Sequence, residues 1–112
     1  MWTPDASQII TAEQRAAEAQ ARTVETFRAA IQQHVDTQAQ SRRYDSGNSL
    51  ASYVASTNAS WAAEAQAFVA WRDAVWLYAY AELDKVLAGE REQPSVEEFI
   101  GELPVIEWSA SL

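Results

Sequence analysis

Residues 11–39 contain no Gly and no Pro and are rich in Ala, Gln, Glu and Arg, which enter helices at little cost. Val24, Phe27, Ile31, His34 or Val35, and Gln38 recur at steps of three and four, so the stretch predicts a long helix with one narrow apolar stripe. Thr11 and Gln14 match a capping box, in which two side chains satisfy free backbone N–H groups at a helix start. Before Val24 the same side offers only Ala17, Gln20 and Ala21, so the first turns either project or pack through small side chains. A second long helix is predicted over residues 59–88, with Gly89 placed to end it in the left-handed conformation. One of its faces carries Trp61, Ala65, Phe68, Arg72, Val75, Ala79 and Val86, and another carries Val69, Trp76, Tyr80, Leu83 and Leu87. Trp71, Leu77 and Tyr78 widen the apolar arc further. A helix apolar over so much of its circumference needs cover on more than one side, from small elements of its own chain or from another chain.

Between these helices, Asp45-Ser46-Gly47-Asn48 is a turn cluster. Leu50, Tyr53 and Val54 then suggest a short helix of two turns, and Ser56, Thr57 and Asn58 end it and supply a cap for the next. Beyond Pro94, Ser95 with Glu98 repeats the capping pattern and predicts a short helix over residues 96–102 that buries Phe99 and Ile100. Leu103-Pro104 breaks it. The expected fold is all-α: two long helices forming an antiparallel hairpin, two short helices packed across them, and extended terminal arms. The expected organisation is an N-terminal arm at residues 1–10, a helical domain at 11–104 and an apolar, acidic C-terminal tail at 105–112.

Composition narrows the function. The 112 residues are 48% hydrophobic and 21% charged, which excludes a compositionally disordered chain. Three glycines leave no phosphate-cradling loop, and the lack of cysteine removes disulfides, thiolate metal sites and a cysteine nucleophile. The net charge of −8 opposes nucleic-acid binding, which needs clustered cations. The excess of acid lies in the second half, where ten carboxylates face only Arg72, Lys85 and Arg91. That half suits solubility or a basic partner. No apolar run approaches the roughly 18 residues of a membrane span. The stretch 65–83 comes nearest but is broken by Gln66, Arg72, Asp73 and Glu82. Residues 1–12 lack the charged and apolar regions of a signal peptide, so a cytoplasmic location is expected.

Candidate chemistry is sparse. His34 is the single histidine, and no carboxylate lies one helical turn from it. Glu82 with Asp84, Glu90 with Glu92, and Glu97 with Glu98 are too close in sequence to face one another on a helix. Many serines are present, but none sits in a nucleophile-elbow pattern. The expectation is therefore a protein that is not an enzyme, with no catalytic, cofactor-binding or metal-binding residues. Arg42-Arg43-Tyr44 is a small basic–aromatic cluster that caps a helix or pairs with Asp45. In Trp71-Arg72-Asp73 with Trp76, Arg72 can stack on Trp76, and Asp73 can anchor Arg42 or Arg43 across the core. The alternative makes these aromatics a partner-binding surface. The partner-binding candidates are Trp2, Ile9, Trp71, Trp76, Tyr80, Val105, Ile106 and Trp108.

Phe27 to Val35, Ser41-Arg42-Arg43-Tyr44-Asp45, Ser49 to Tyr53, Trp61-Ala62-Ala63-Glu64-Ala65 and Ala70 to Trp76 resemble a family of small proteins encoded in bacteriophage and prophage tail or tail-fibre regions. Pro94, Glu97-Glu98-Phe99, Leu103-Pro104 and Trp108 resemble that family's end. The resemblance covers about three quarters of the chain and leaves out residues 1–25. It implies a phage tail or tail-fibre protein as partner and a role as a fibre or tail assembly factor, a chaperone in the bacterial host cytoplasm. A permanent structural component of the virion tail, as a homo-oligomer, is the alternative. A second alternative is an acidic host-directed inhibitor acting through Glu97, Glu98 and Glu102. No nucleic-acid or membrane partner is expected.

Overall fold

The computed structural model describes residues 11–108 and is all-helical over them. Four helices follow one another: α1 (Ala12–Ser41), α2 (Gly47–Ala51), α3 (Ala59–Leu87) and α4 (Val96–Glu102). Their starts are set locally. Thr11 and Gln14 form the complete capping box of α1. Ser46, Asn58 and Ser95 cap α2, α3 and α4 through side-chain oxygens that accept the N–H of the residue three positions on.

The two long helices end alike. At the end of α3 the Glu90 N–H reaches Lys85 and the Gly89 N–H reaches Val86, a Schellman closure with Gly89 at φ 76°. At the end of α1 the Tyr44 N–H reaches Ala39 and the Arg43 N–H reaches Gln40, the same closure with Arg43 at φ 74°. A left-handed residue with a Cβ costs roughly 1–2 kcal/mol. Arg43 therefore holds a place that glycine would hold more cheaply.

The core stripe of α1 is Phe27, Ile31, Val35 and Ala39, at steps of four. Val35 rather than His34, and Ala39 rather than Gln38, are its buried members; His34 and Gln38 sit half-buried beside it. From α3 come Ala65, Phe68, Trp71, Val75, Ala79 and Leu83. Trp71 takes the buried place that the face expected for Arg72, and Trp61, on the same face, is 48% exposed. Leu50 of α2, Phe99 of α4 and Leu103 complete the core.

As α1 advances, its contacts retreat along α3. Ala19 to Phe27 share a cleft with Leu83 to Leu87. The His34 ring lies 5.8 Å from Trp71, and Arg42 lies 3.6 Å from Glu64. The small α2 touches both long helices and closes one end of the core. It begins at a buried glycine for a spatial reason: a Cβ on Gly47 would stand 3.0 Å from Phe68 Cζ and 3.1 Å from Asp36 Oδ1. That same Asp36 oxygen accepts the Gly47 N–H at 2.8 Å and fastens α2 to α1.

At the other end, α4 packs on α1 through an edge-to-face contact of Phe27 and Phe99 at 5.4 Å. Arg91 bridges Glu82 and Glu102, and the Tyr78 hydroxyl donates to Glu102 at 2.8 Å, tying α3 to α4. Residues 11–22 of α1 are exposed throughout, so its first three turns project beyond the core. No helix of the described residues is long and apolar enough to cross a membrane.

Candidate functional site

The sequence candidates fall into separate places. Trp2 and Ile9 lie outside the described residues. Trp71 is a core side chain, 6% exposed, and its ring N–H donates to the Pro104 carbonyl at 2.7 Å. That bond pins the segment after α4 to α3. Four residues on, Trp108 stacks on Phe68 at 6.5 Å and lies under the Arg42 guanidinium at 4.6 Å. Ile106 packs against the core, while Val105 points outward at 86% exposure. The described part of the tail thus docks on its own domain. Trp71, Ile106 and Trp108 are engaged there and do not form a partner surface with Trp76 and Tyr80.

Trp76 and Tyr80 lie together on another side of α3. One turn apart on the outer side of α3, their rings are tilted against each other at 5.6 Å. Leu77 stands beside them at 73% exposure and Tyr80 is 58% exposed. With Asp73 these side chains line a shallow depression of about 370 Å³. Leu77 was visible in the sequence as part of the apolar arc, but the arc alone does not say which side remains uncovered. Fixing α1, α2 and α4 on the opposite side does.

The polar clamps expected around Trp71 are replaced. Asp73 pairs with its neighbour Arg72 at 3.1 Å instead of reaching across the core. Arg42 goes to Glu64 and Trp108. Among the described residues the guanidinium–ring contacts are Arg42 on Trp108 and Arg91 on Phe99, and Arg72 on Trp76 is not one of them. Glu102, a candidate for a partner-facing acid, is already held by Arg91 and Tyr78, which keep its carboxyl below the ordinary carboxylate pKa. Glu97 and Glu98 remain exposed.

His34 lines a cleft of about 320 Å³ with Gln38, Trp71, Ile100, Leu103 and Ile106. No carboxylate lines that cleft, so the ring has neither a base partner nor a second ligand. Among the described residues no cluster of three metal-ligating side chains occurs. Burial holds the His34 pKa below its ordinary 6.5. A depressed histidine is protonated more readily in the unfolded chain, so its effect on stability is absent above pH 6.5. As pH falls through 6.5 toward the lower folded value, stability is lost. Unfolding curves between about pH 5 and 7 should therefore show a decline that His34→Gln flattens; an unchanged slope in the variant would assign the decline to other groups.

A third concavity was not apparent in the sequence. Tyr44, Tyr53 and Trp61 come from the α1–α2 loop, the turn after α2 and the start of α3. With Arg42, Arg43 and Glu64 they line a pocket of about 280 Å³. Tyr44 and Tyr53 lie 5.5 Å apart, and Tyr53 and Trp61 5.8 Å apart at 81°. Their spacing along the chain follows no helical or strand period, so no sequence pattern joins them.

No protein-family model, curated protein or solved structure matches this chain.

Proposed function

We propose that this protein is a non-enzymatic interaction module that acts as an assembly factor for a phage tail or tail-fibre protein in the bacterial host cytoplasm. The observation that carries the interaction reading is the exposed apolar face of α3 at Leu77 and Tyr80, edged by the half-buried Trp76. Trp and Tyr are the side chains that dominate binding hot spots, because they bury large area at small entropic cost. The tail assignment rests on the resemblance of residues 26–108 to small phage and prophage tail-region proteins. In this reading the two long helices are an antiparallel hairpin, as the retreat of α1 contacts along α3 supports, and the hairpin presents that face rigidly. A permanent place in the virion tail is the second reading. The three exposed turns at the start of α1 favour it, since they bury little within the described residues and leave a surface that a fixed neighbour can cover.

Two experiments separate these. Peptide mass spectrometry of purified particles should find the chain absent if it is a helper and at fixed stoichiometry if it is a component. The double variant Leu77→Asp, Tyr80→Asp should keep its melting temperature and lose co-purification with the tail protein. Retained co-purification would remove this face from the interface.

A further inference from the structure

We propose that the pocket between Tyr44, Tyr53 and Trp61 is a binding site for a zwitterion of the phosphocholine type, a quaternary ammonium joined to an anionic group by a short linker. It is a different place from the face above: Trp61 and Trp76 are fifteen residues apart on one helix, or roughly 22 Å.

Three features select a quaternary ammonium for the inner part. Neighbouring rings are inclined by 59° and 81°, the second pair edge to face, so they do not stack flat on one another along the pocket lining. A cation without N–H donors is stabilised beside such rings by their quadrupoles, without needing hydrogen bonds. The Glu64 carboxylate stands on the same wall with its side chain 20% exposed. Its partners are weak: the Tyr44 hydroxyl at 3.3 Å and Arg42 at 3.6 Å, the latter beyond hydrogen-bond length. Glu64 therefore sets a negative charge on the aromatic wall, one that it shares with Arg42. Burial and the Glu64 charge both raise the Tyr44 pKa, so its hydroxyl stays a neutral donor to that carboxylate.

The outer part differs in sign. Arg42 is occupied by Glu64 and by the ring of Trp108. Arg43 is exposed and makes no ion pair among the described residues. Its left-handed backbone is the strained choice at a position where glycine would close the helix equally well. Arg43 supplies a guanidinium on the pocket lining, where it can meet a phosphate. A simple cation would leave Arg43 unused and repelled, and a simple anion would face Glu64. A zwitterion satisfies both.

The test is a titration of the whole chain followed through its five indole N–H resonances. The probes are phosphocholine, choline and inorganic phosphate. Phosphocholine should move the Trp61 signal saturably and bind at least about tenfold tighter than choline or phosphate alone, a factor worth about 1.4 kcal/mol. Trp61→Ala and Glu64→Gln should each weaken phosphocholine binding by a similar factor. Arg43→Gly, which also relieves the backbone, should bring phosphocholine down to the affinity of choline. Because Trp61 is half exposed and Arg43→Gly favours the helix end, both variants should remain folded, as far-UV circular dichroism will show. Co-sedimentation with phosphatidylcholine vesicles would identify a lipid surface as the source of the headgroup; binding of the free headgroup without co-sedimentation would identify a soluble or polymer-linked one. Failure of phosphocholine to move Trp61, equal affinity for choline and phosphocholine, or full binding by Trp61→Ala overturns the proposal.

Discussion

Phe68→Ala is expected to destabilise the protein by about 3–5 kcal/mol, a large part of the roughly 5–15 kcal/mol that holds a small domain together. Phe68 is fully buried and sits where three elements meet. Its ring is 5.8 Å from Trp71, stacks with Trp108, and would stand 3.0 Å from any Cβ placed on Gly47. Removing it leaves a cavity bounded by two helices and the tail. The cost depends on how far that cavity can collapse. The elements around it are fastened separately, α2 through Asp36 and the tail through Pro104, so collapse should be small. Urea unfolding followed by circular dichroism checks this. A loss under about 1 kcal/mol would mean that the Trp108 ring drops into the vacated space.

Trp71→Ala should cost a similar amount, about 3–5 kcal/mol, for a different combination of reasons. It empties part of the core, removes the ring beside His34, and frees the Pro104 carbonyl. Trp71→Phe isolates the last of these. It keeps most of the apolar volume and leaves the carbonyl without its indole donor, so about 1 kcal/mol is expected. In both variants limited chymotrypsin digestion should cut beyond Pro104, at Trp108, faster than in the parent, because the bond that pins the tail is gone. Unchanged cleavage in Trp71→Phe would mean that Ile106 and Trp108 hold the tail without it.

The fold was legible where it depends on neighbours in sequence. The capping residues Thr11, Asn58 and Ser95 sit at helix starts because each side chain reaches an N–H only three residues away, whereas Ser46, read as part of a turn, caps an α2 that begins at Gly47, ahead of the expected Leu50. Gly89 ends α3 for an equally local reason. The α1 stripe was legible because one face of that helix is apolar and the rest is not. Its fine choice, Val35 over His34 and Ala39 over Gln38, was not. A helix drifts relative to any strict repeat, and the packing partner decides which flank is drawn in. Arg43 at the end of α1 was hidden because its conformation is one that sequence rules reserve for glycine.

The candidate sites were less legible. Trp71 and Trp76 looked alike in sequence, yet one is core and the other edges an exposed face. They lie five residues apart on α3, which turns them to different sides of the helix. Nothing local says which side α1 and α4 will occupy, since α3 is apolar almost all round.

The sequence by itself determined the all-helical class, the starts of α1, α3 and α4, the end of α3, and the deficit of polar residues on α3 that requires cover. These follow from hydrogen bonds and periodicity within a few residues. Only the tertiary structure decided which side of α3 stays bare, that residues 105–108 return to their own domain through Pro104 and Trp108, and that Tyr44, Tyr53 and Trp61 share one pocket. Those outcomes depend on contacts between residues 8 to 40 positions apart, such as Phe68 with Trp108 and Tyr53 with Trp61, whose free energy comes from burial against partners that no local pattern names.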